Sequence, residues 1–449
     1  MAEKIPVDVS TLYEGERIRT DAAYVDLGNP GKTGVELVRV RPSEEIEEGV
    51  VLIGPDLEDM VEGGIYPLAI MVEVAGEKLE EDLEGVFERR IHDFCNYIQG
   101  FMHLNSRDMV RCRISKESVE KGLRLKHVGQ ALIDLFKKEW KPIEKVRVTI
   151  CTDESKAGEI RQEARKIFDE RDARLRNLRD EDVDTFYGCV MCQSFASKQM
   201  CVISPERTPG CGSISWLVAR AAVKVGEDSS IFEIPKGKLL DPEKGEYEGV
   251  NKIRKEKSGG EIDKVYMYSL FEHPHSTGLM EAVVFYIPEV RGVGVVSKDF
   301  IGDTPLGINY NNMSKMIGTG EPMDGFVGVS FEHLRSKKFL QADGGWSRVV
   351  WLPKSLKERL LEYIPEDLRD KISTEGDVRD LKELKAFLKS KDHPVVKLWT
   401  EEKKEAAPEK PKAEAEPQAK AESRIVLGGG RIKILMEDSK IHIERIVFK

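Results

Sequence analysis

The chain has 449 residues, 40% of them hydrophobic, enough for about three domains of ordinary size, which excludes wholesale disorder. Acidic side chains number 80 against 70 basic ones, a formal net charge of -10, and this argues against an extended nucleic-acid-binding surface because phosphate recognition wants a basic excess. The longest apolar runs, such as residues 283–287, fall far short of the roughly 18 residues of a membrane span, and Met1-Ala2-Glu3-Lys4 does not open as a signal peptide, so a soluble, cytoplasmic protein is expected.

Residues 65–74 are an apolar run of strand length. After Gly76 the apolar positions Leu83, Phe87, Ile91, Phe94, Ile98 and Phe101 recur every three or four residues, as in a helix with one face in a core. Residues 146–151 alternate as a strand, and 155–178 read as a long charged helix whose apolar stripe is thin (Ile160, Ala164, Ile167, Leu175, Leu178), polar enough to bridge two domains. From Asp184 to about Thr400 the chain is richer in glycine, aromatic and strand-like segments, with turns at Thr208-Pro209-Gly210, Gly259-Gly260 and Gly344-Gly345; helices at 355–363 and 380–388 close this region. Residues 401–423 are almost wholly Lys, Glu, Ala, Gln and Pro and can bury no core. Beyond them, 432–436 and 441–448 read as the two strands of a hairpin, which alone is marginal in water and is expected to dock on something. Gly428-Gly429-Gly430 lacks the strand-then-helix frame of a phosphate loop and reads as a plain turn. The pattern predicts a multidomain chain of mixed α/β and α+β class. Its parts are an N-terminal α/β domain with the bridging helix (1–180), an α+β domain carrying a metal cluster (181–400), a disordered linker (401–423) and a C-terminal β-hairpin (424–449).

The seven cysteines stand at 95, 112, 151, 189, 192, 201 and 211, the last four within 23 residues. An odd count without an export signal favours a metal or redox role over a disulfide framework. Cys189, Cys192, Cys201 and Cys211 form a C-x2-C-x8-C-x9-C motif, which suits a [4Fe-4S] cluster, a structural zinc, or four small buried side chains. Zinc sites usually pair two close knuckles, and here only the first pair is close, which suits the wider cubane better. Residues 213–220 read as a helix whose N-terminus would face the cluster and favour its negative charge. Cys95, Cys112 and Cys151 read as core residues.

The run from Asp184 to Trp216, together with Tyr266-Met267-Tyr268-Ser269-Leu270-Phe271-Glu272-His273-Pro274-His275, Phe285-Tyr286-Ile287-Pro288-Glu289-Val290 and Ala342-Asp343-Gly344-Gly345-Trp346, resembles the archaeal acetyl-CoA synthase beta subunit of the acetyl-CoA decarbonylase/synthase complex. The likeness covers residues 1 to about 400, with a tether and tail typical of archaeal members. It implies that Cys189, Cys192, Cys201 and Cys211 hold a [4Fe-4S] cluster, that Cys192 also bridges to nickel in a Ni-Ni-[4Fe-4S] centre, and that Phe195 is the aromatic covering the labile nickel. It further implies coenzyme A and acetyl-CoA as substrates, and carbon monoxide dehydrogenase subunits and a corrinoid iron-sulfur protein as partners.

One departure matters. After the histidines the family carries Cys-Gly-Cys, whose thiolates and amide nitrogens make a square-planar nickel site, whereas this chain reads Ser276-Thr277-Gly278-Leu279-Met280-Glu281, one residue shorter, with no cysteine after Cys211. A thioether is neutral and hydroxyl oxygens are hard, so neither replaces a bridging thiolate. His273 and His275 have donor nitrogens but also stand in the family beside the cysteines. Two functions follow: the family's enzyme, which makes or cleaves acetyl-CoA from carbon monoxide, a corrinoid-borne methyl group and coenzyme A, or a noncatalytic iron-sulfur subunit for electron transfer or assembly. A zinc-stabilised interaction protein is a third.

Overall fold

The computed structural model describes residues 4–196, 199–226, 229–272, 278–318, 323 and 325–399, and the backbone of 423–427 and 430–434. Residues 1–400 form one compact unit and 401–449 a second. The fold is mixed, as expected, with several separate sheets and helices packed between and around them.

The expected strand at 65–74 is broken at Pro67, which has no amide proton to give a ladder. Ile65–Tyr66 pairs parallel with Ala23–Gly28 in one sheet, while Leu68–Ala75 joins another. That second sheet runs Gly34–Val40, Leu68–Ala75, Lys145–Cys151, Gly49–Ile53; its outer pairs are parallel and its central pair is antiparallel. Both of its faces are covered. Val35 and Leu37 meet Ala157, Ala164 and Phe168 of the Glu154–Ala173 helix on one side. Val38, Ile70, Val72 and Val148 meet the helices Glu84–Asn96 and Leu125–Glu139 on the other. The charged helix ends at Ala173, so Leu175 and Leu178 lie in the turn beyond it. The amphipathic helix ends at Asn96, and Phe101 opens the strand Phe101–Ser106, which turns through Arg107 and Asp108 into Met109–Ser115.

Farther along the chain, a three-stranded antiparallel sheet orders Cys201–Ile203, Thr185–Cys189 and Ile231–Pro235. A four-stranded sheet orders Phe326–Val329, Ala282–Ile287, Gly292–Ser297 and Val349–Trp351. The closing helices are Lys354–Arg359 and Leu381–Ser390, near their expected places. The largest hydrophobic core runs from Val7 to Tyr268 and takes in Cys189 and Cys211, while two other cores gather residues between Leu270 and Val395. The cysteine segment is therefore packed onto the N-terminal layers, and the segment after Leu270 enters the site from a different core.

In the second unit, Ser423–Leu427 pairs antiparallel with Gly430–Ile434. The expected strand at 432–436 thus finds its partner upstream rather than downstream, around the glycines; the expected second strand at 441–448 and the linker to residue 422 lie outside the described residues. Among the described residues no helix is long and apolar enough to cross a membrane.

Candidate metal centre

Two of the four thiols are fixed by sheet register. Cys189 ends its strand directly opposite Cys201, so their side chains share one face. Ile231 pairs with Cys189 from the other edge, and the Trp216 indole donates to the Thr185 carbonyl at 2.9 Å, holding the following helix on the strand. Cys192 sits in the tight Met191–Ser194 turn. Cys211 sits in a turn closed by the Gly212 amide on the Pro209 carbonyl at 2.9 Å. Gly212 has φ 72°, and a Cβ there would lie 2.4 Å from a Glu281 carboxylate oxygen, so only glycine fits.

Burial pushes three of the thiols upward: Cys189 well above its usual range, Cys201 to about 12, and Cys211 as well. Negative charge on the neighbouring cysteines adds to each shift, which places the four sulfurs within electrostatic reach of one another. Opposing this, the Ser213 and Ile214 amides donate to Cys211, the Met191 amide to Cys189, and the Gln199 side-chain amide to Cys201 at 3.0 Å. The helix expected over 213–220 begins only at Trp216, capped by the Ser215 hydroxyl, so the amides that reach Cys211 belong to the turn before it. Three buried or half-buried arginines complete the surroundings. Arg89 faces Cys192 and Cys211, and Arg207 and Arg254 face Cys201. Buried thiols that hold their protons when empty, ringed by amide donors and fixed cations, become good ligands once a metal displaces those protons.

Among the described residues no three His, Cys, Asp or Glu side chains lie close enough to share one metal ion. Four thiols with amide donors and arginines around them are the donor chemistry that a [4Fe-4S] cluster or a zinc ion draws on.

Phe195 follows the Cys192 turn, half-buried, with the His92 ring edge-on at 5.7 Å and the Arg89 guanidinium 5.9 Å from its centroid. Cys95, Cys112 and Cys151 are buried in the cores, as expected.

The segment that stands where the family has Cys-Gly-Cys reaches the same place. Gly278 lies against Cys192: a Cβ on it would come within 2.8 Å of both Cβ and Sγ of that cysteine. Leu279 lines one cavity beside Cys211 and another beside Cys201. Met280 turns away, buried in the core of Val283, Tyr310 and Ile317, its carbonyl accepting from the Tyr310 hydroxyl at 2.7 Å. The Glu281 amide then donates to the Gly210 carbonyl at 2.8 Å, pinning the segment to the Cys211 turn. Between Gly278 and Glu281 the described side chains include no thiol. His273, His275, Ser276 and Thr277 lie outside the described residues.

Sequence reasoning missed the charged residues that frame the site. Glu281 is buried between Arg107 and Lys298, each 3.7 Å away, and accepts the Phe331 amide at 2.9 Å. Arg107 also makes paired bonds of 2.8 and 2.9 Å to Asp172, and Lys298 reaches Asp108 at 2.8 Å. This node ties the bridging helix, the hairpin turn and the C-terminal sheet together beside Cys211. A local signal existed only for Arg89, His92 and Asp93, which are charged or polar positions in a helix whose hydrophobic period already committed it to the interior.

Residues 5–157 match the model of the CO dehydrogenase/acetyl-CoA synthase complex beta subunit, and 168–400 match that of the C-terminal region of the ACS/CODH beta subunit. The chain is 48% identical to the acetyl-CoA decarbonylase/synthase complex subunit beta of Methanothermobacter thermautotrophicus across all of both chains. It is 51% identical to that of Methanopyrus kandleri over 99% of this chain and 97% of the relative. The solved C-terminal domain of an acetyl-coenzyme A synthase alpha subunit is 34% identical over 27% of this chain and 96% of that one, with a TM-score of 0.25. With its whole length matched at about half identity, the chain belongs to the family of the CO dehydrogenase/acetyl-CoA synthase complex beta subunit.

Proposed function

We propose that this chain is an iron-sulfur subunit of an acetyl-CoA decarbonylase/synthase complex that keeps the cubane half of the family's metal centre and has given up the nickel half. Cys189, Cys192, Cys201 and Cys211 would hold a [4Fe-4S] cluster, which supplies one-electron redox chemistry when bound. The chain's own residues bury Cys189 and Cys211, leave Cys192 and Cys201 partly exposed, orient the thiols through sheet register and amide donors, and balance charge with Arg89, Arg207 and Arg254. Its place is in a complex with carbon monoxide dehydrogenase subunits and the corrinoid iron-sulfur protein, as an electron-transferring and assembling member rather than the site where acetyl-CoA is made. Seven free thiols suit the reducing cytoplasm.

The observation that carries this reading is the contact of Gly278 with Cys192, the one thiol that the family shares between its cluster and nickel. Backbone fills that side of the sulfur, and the only sulfur in the segment, that of Met280, belongs to a side chain buried in another core.

The test is metal analysis of anaerobically purified protein reconstituted with iron, sulfide and nickel. About four irons per chain and almost no nickel are expected, with little or no exchange of carbon monoxide into the carbonyl of acetyl-CoA. Replacing Gly278-Leu279-Met280 by Cys-Gly-Cys-Phe, which restores the missing residue, should raise nickel uptake. Tight binding of two nickels by the unaltered chain, with exchange activity, would return it to the enzymes of its family and give Phe195 its nickel-covering role; zinc without iron would remove the cluster.

A further inference from the structure

Cys201 has surroundings of its own. Its sulfur takes a side-chain donor, the Gln199 amide at 3.0 Å. Gln199 is buried and held by its backbone: its amide donates to the Ala196 carbonyl at 2.8 Å, and its carbonyl accepts from the Gln193 side chain at 3.1 Å. Two guanidinium groups hold the backbone on either side of the same cysteine. Arg254, from the Glu248–Lys257 helix, donates through Nη1 to the Met200 carbonyl at 3.2 Å, and Arg207 donates through Nη1 to the Val202 carbonyl at 3.2 Å.

Arg254 is only 4% exposed, and among the described residues no carboxylate pairs with it. The charges that act on it are Cys201, which favours the cation, and Arg207, which opposes it. A buried cation beside a like charge is expensive unless an anion comes to it. An ionised sulfur at Cys201 is that anion. On the Cys192 and Cys211 side, by contrast, Arg89 already has the Asp93 carboxylate at 2.8 Å. Positive charge without a carboxylate of its own therefore stands at Cys201.

We propose that Gln199 and Arg254 tune the reduction potential of the cluster through the Cys201 sulfur, holding it higher than buried thiolates alone would set it. The inference rests on the iron-sulfur reading above. Reduction adds one electron, from a one-electron donor such as a reduced viologen, and neither forms nor breaks a bond. The added negative charge is favoured by an N–H donor on a ligand sulfur and by a fixed cation nearby. Both are positioning residues, which act through Cys201 and not on the iron. Removing a unit charge about 10 Å away, at an effective dielectric constant of about 20, changes such an equilibrium roughly tenfold, which for one electron is about 59 mV.

The test is a redox titration of the full reconstituted chain at one pH, followed by electron paramagnetic resonance, with iron counted per chain. Gln199→Leu and Arg254→Gln should keep their iron and shift the midpoint potential downward, the second by about the tenfold change given above. Arg254→Lys keeps the charge and should recover most of that shift. Lys255→Gln removes the same charge from an exposed position on the same helix and should leave the potential where it was, because solvent screens it. A potential that stays or rises in either iron-loaded variant, or a shift in Lys255→Gln as large as that in Arg254→Gln, overturns the tuning alone. Should a variant lose its iron, the unaltered chain decides: with 15N in its glutamine side chains, electron spin echo spectra of the reduced cluster should show a nitrogen coupling, and its absence overturns the proposal. A chain that binds no iron, or zinc in its place, overturns the cluster and the tuning together.

Discussion

The two sides of Cys192 are built on opposite plans. On one side stand thiols, amide donors and buried arginines, each held by a hydrogen bond or by strand pairing. On the other stand a glycine fitted against sulfur, a leucine and a methionine committed to a hydrophobic core. The first arrangement keeps its sulfurs protonated until a metal displaces those protons, because burial works against ionised sulfurs. The second is self-sufficient. The contrast teaches that the two sides of Cys192 can change separately, since one depends on a sheet and the other on a loop.

The comparison breaks most visibly on the thiol side. Cys201→Ser should abolish binding of the roughly four irons expected of a cubane, read by iron and sulfide assay, because the serine oxygen is a poor ligand for this cluster. Retention of all the iron would show that Cys201 is only a packed side chain. Next in size is the node that braces both sides. Arg107→Ala leaves Asp172 buried without its cation and Glu281 with Lys298 alone, and should cost about 3–5 kcal/mol in denaturant unfolding. On the loop side, Gly278→Ala should cost about 1–3 kcal/mol, as overpacking does, because its Cβ must push against Cys192 Sγ; no change in melting would mean that the loop stands off the sulfur. Smallest of all, a chain ending at residue 400 should keep its iron and its melting temperature, since residues 401–449 form a separate unit. Loss of the cluster on truncation would tie that unit to the site.

Much of this was legible beforehand, for definite reasons. The four cysteines are close in sequence, so their spacing marked out the segment in which Cys189 and Cys201 stand opposite, and the helices at Lys354–Arg359 and Leu381–Ser390 follow local capping and period. Pro67 could have warned that the 65–74 run divides, but only the structure shows that its parts serve different sheets. The rest depends on pairings across long stretches of chain. Arg254 and the Met200 carbonyl it bonds are 54 residues apart, and the Glu281 node gathers residues from 107 to 298. Local periodicity registers such residues only as polar interruptions, and the continuity of one core from Val7 to Tyr268 leaves no mark in composition.

The opposition of Cys189 and Cys201 bears on how the protein comes to be loaded. Strand pairing alternates faces, so a slip of one residue would turn one of these sulfurs to the wrong side of the ribbon. Pairing of the same strand with Ile231–Pro235 at its other edge resists that slip before any iron arrives. The spacing of the two sulfurs is thus set by the sheet itself, and on the iron-sulfur reading proposed above a chain stripped of metal by oxygen should be refillable without being refolded.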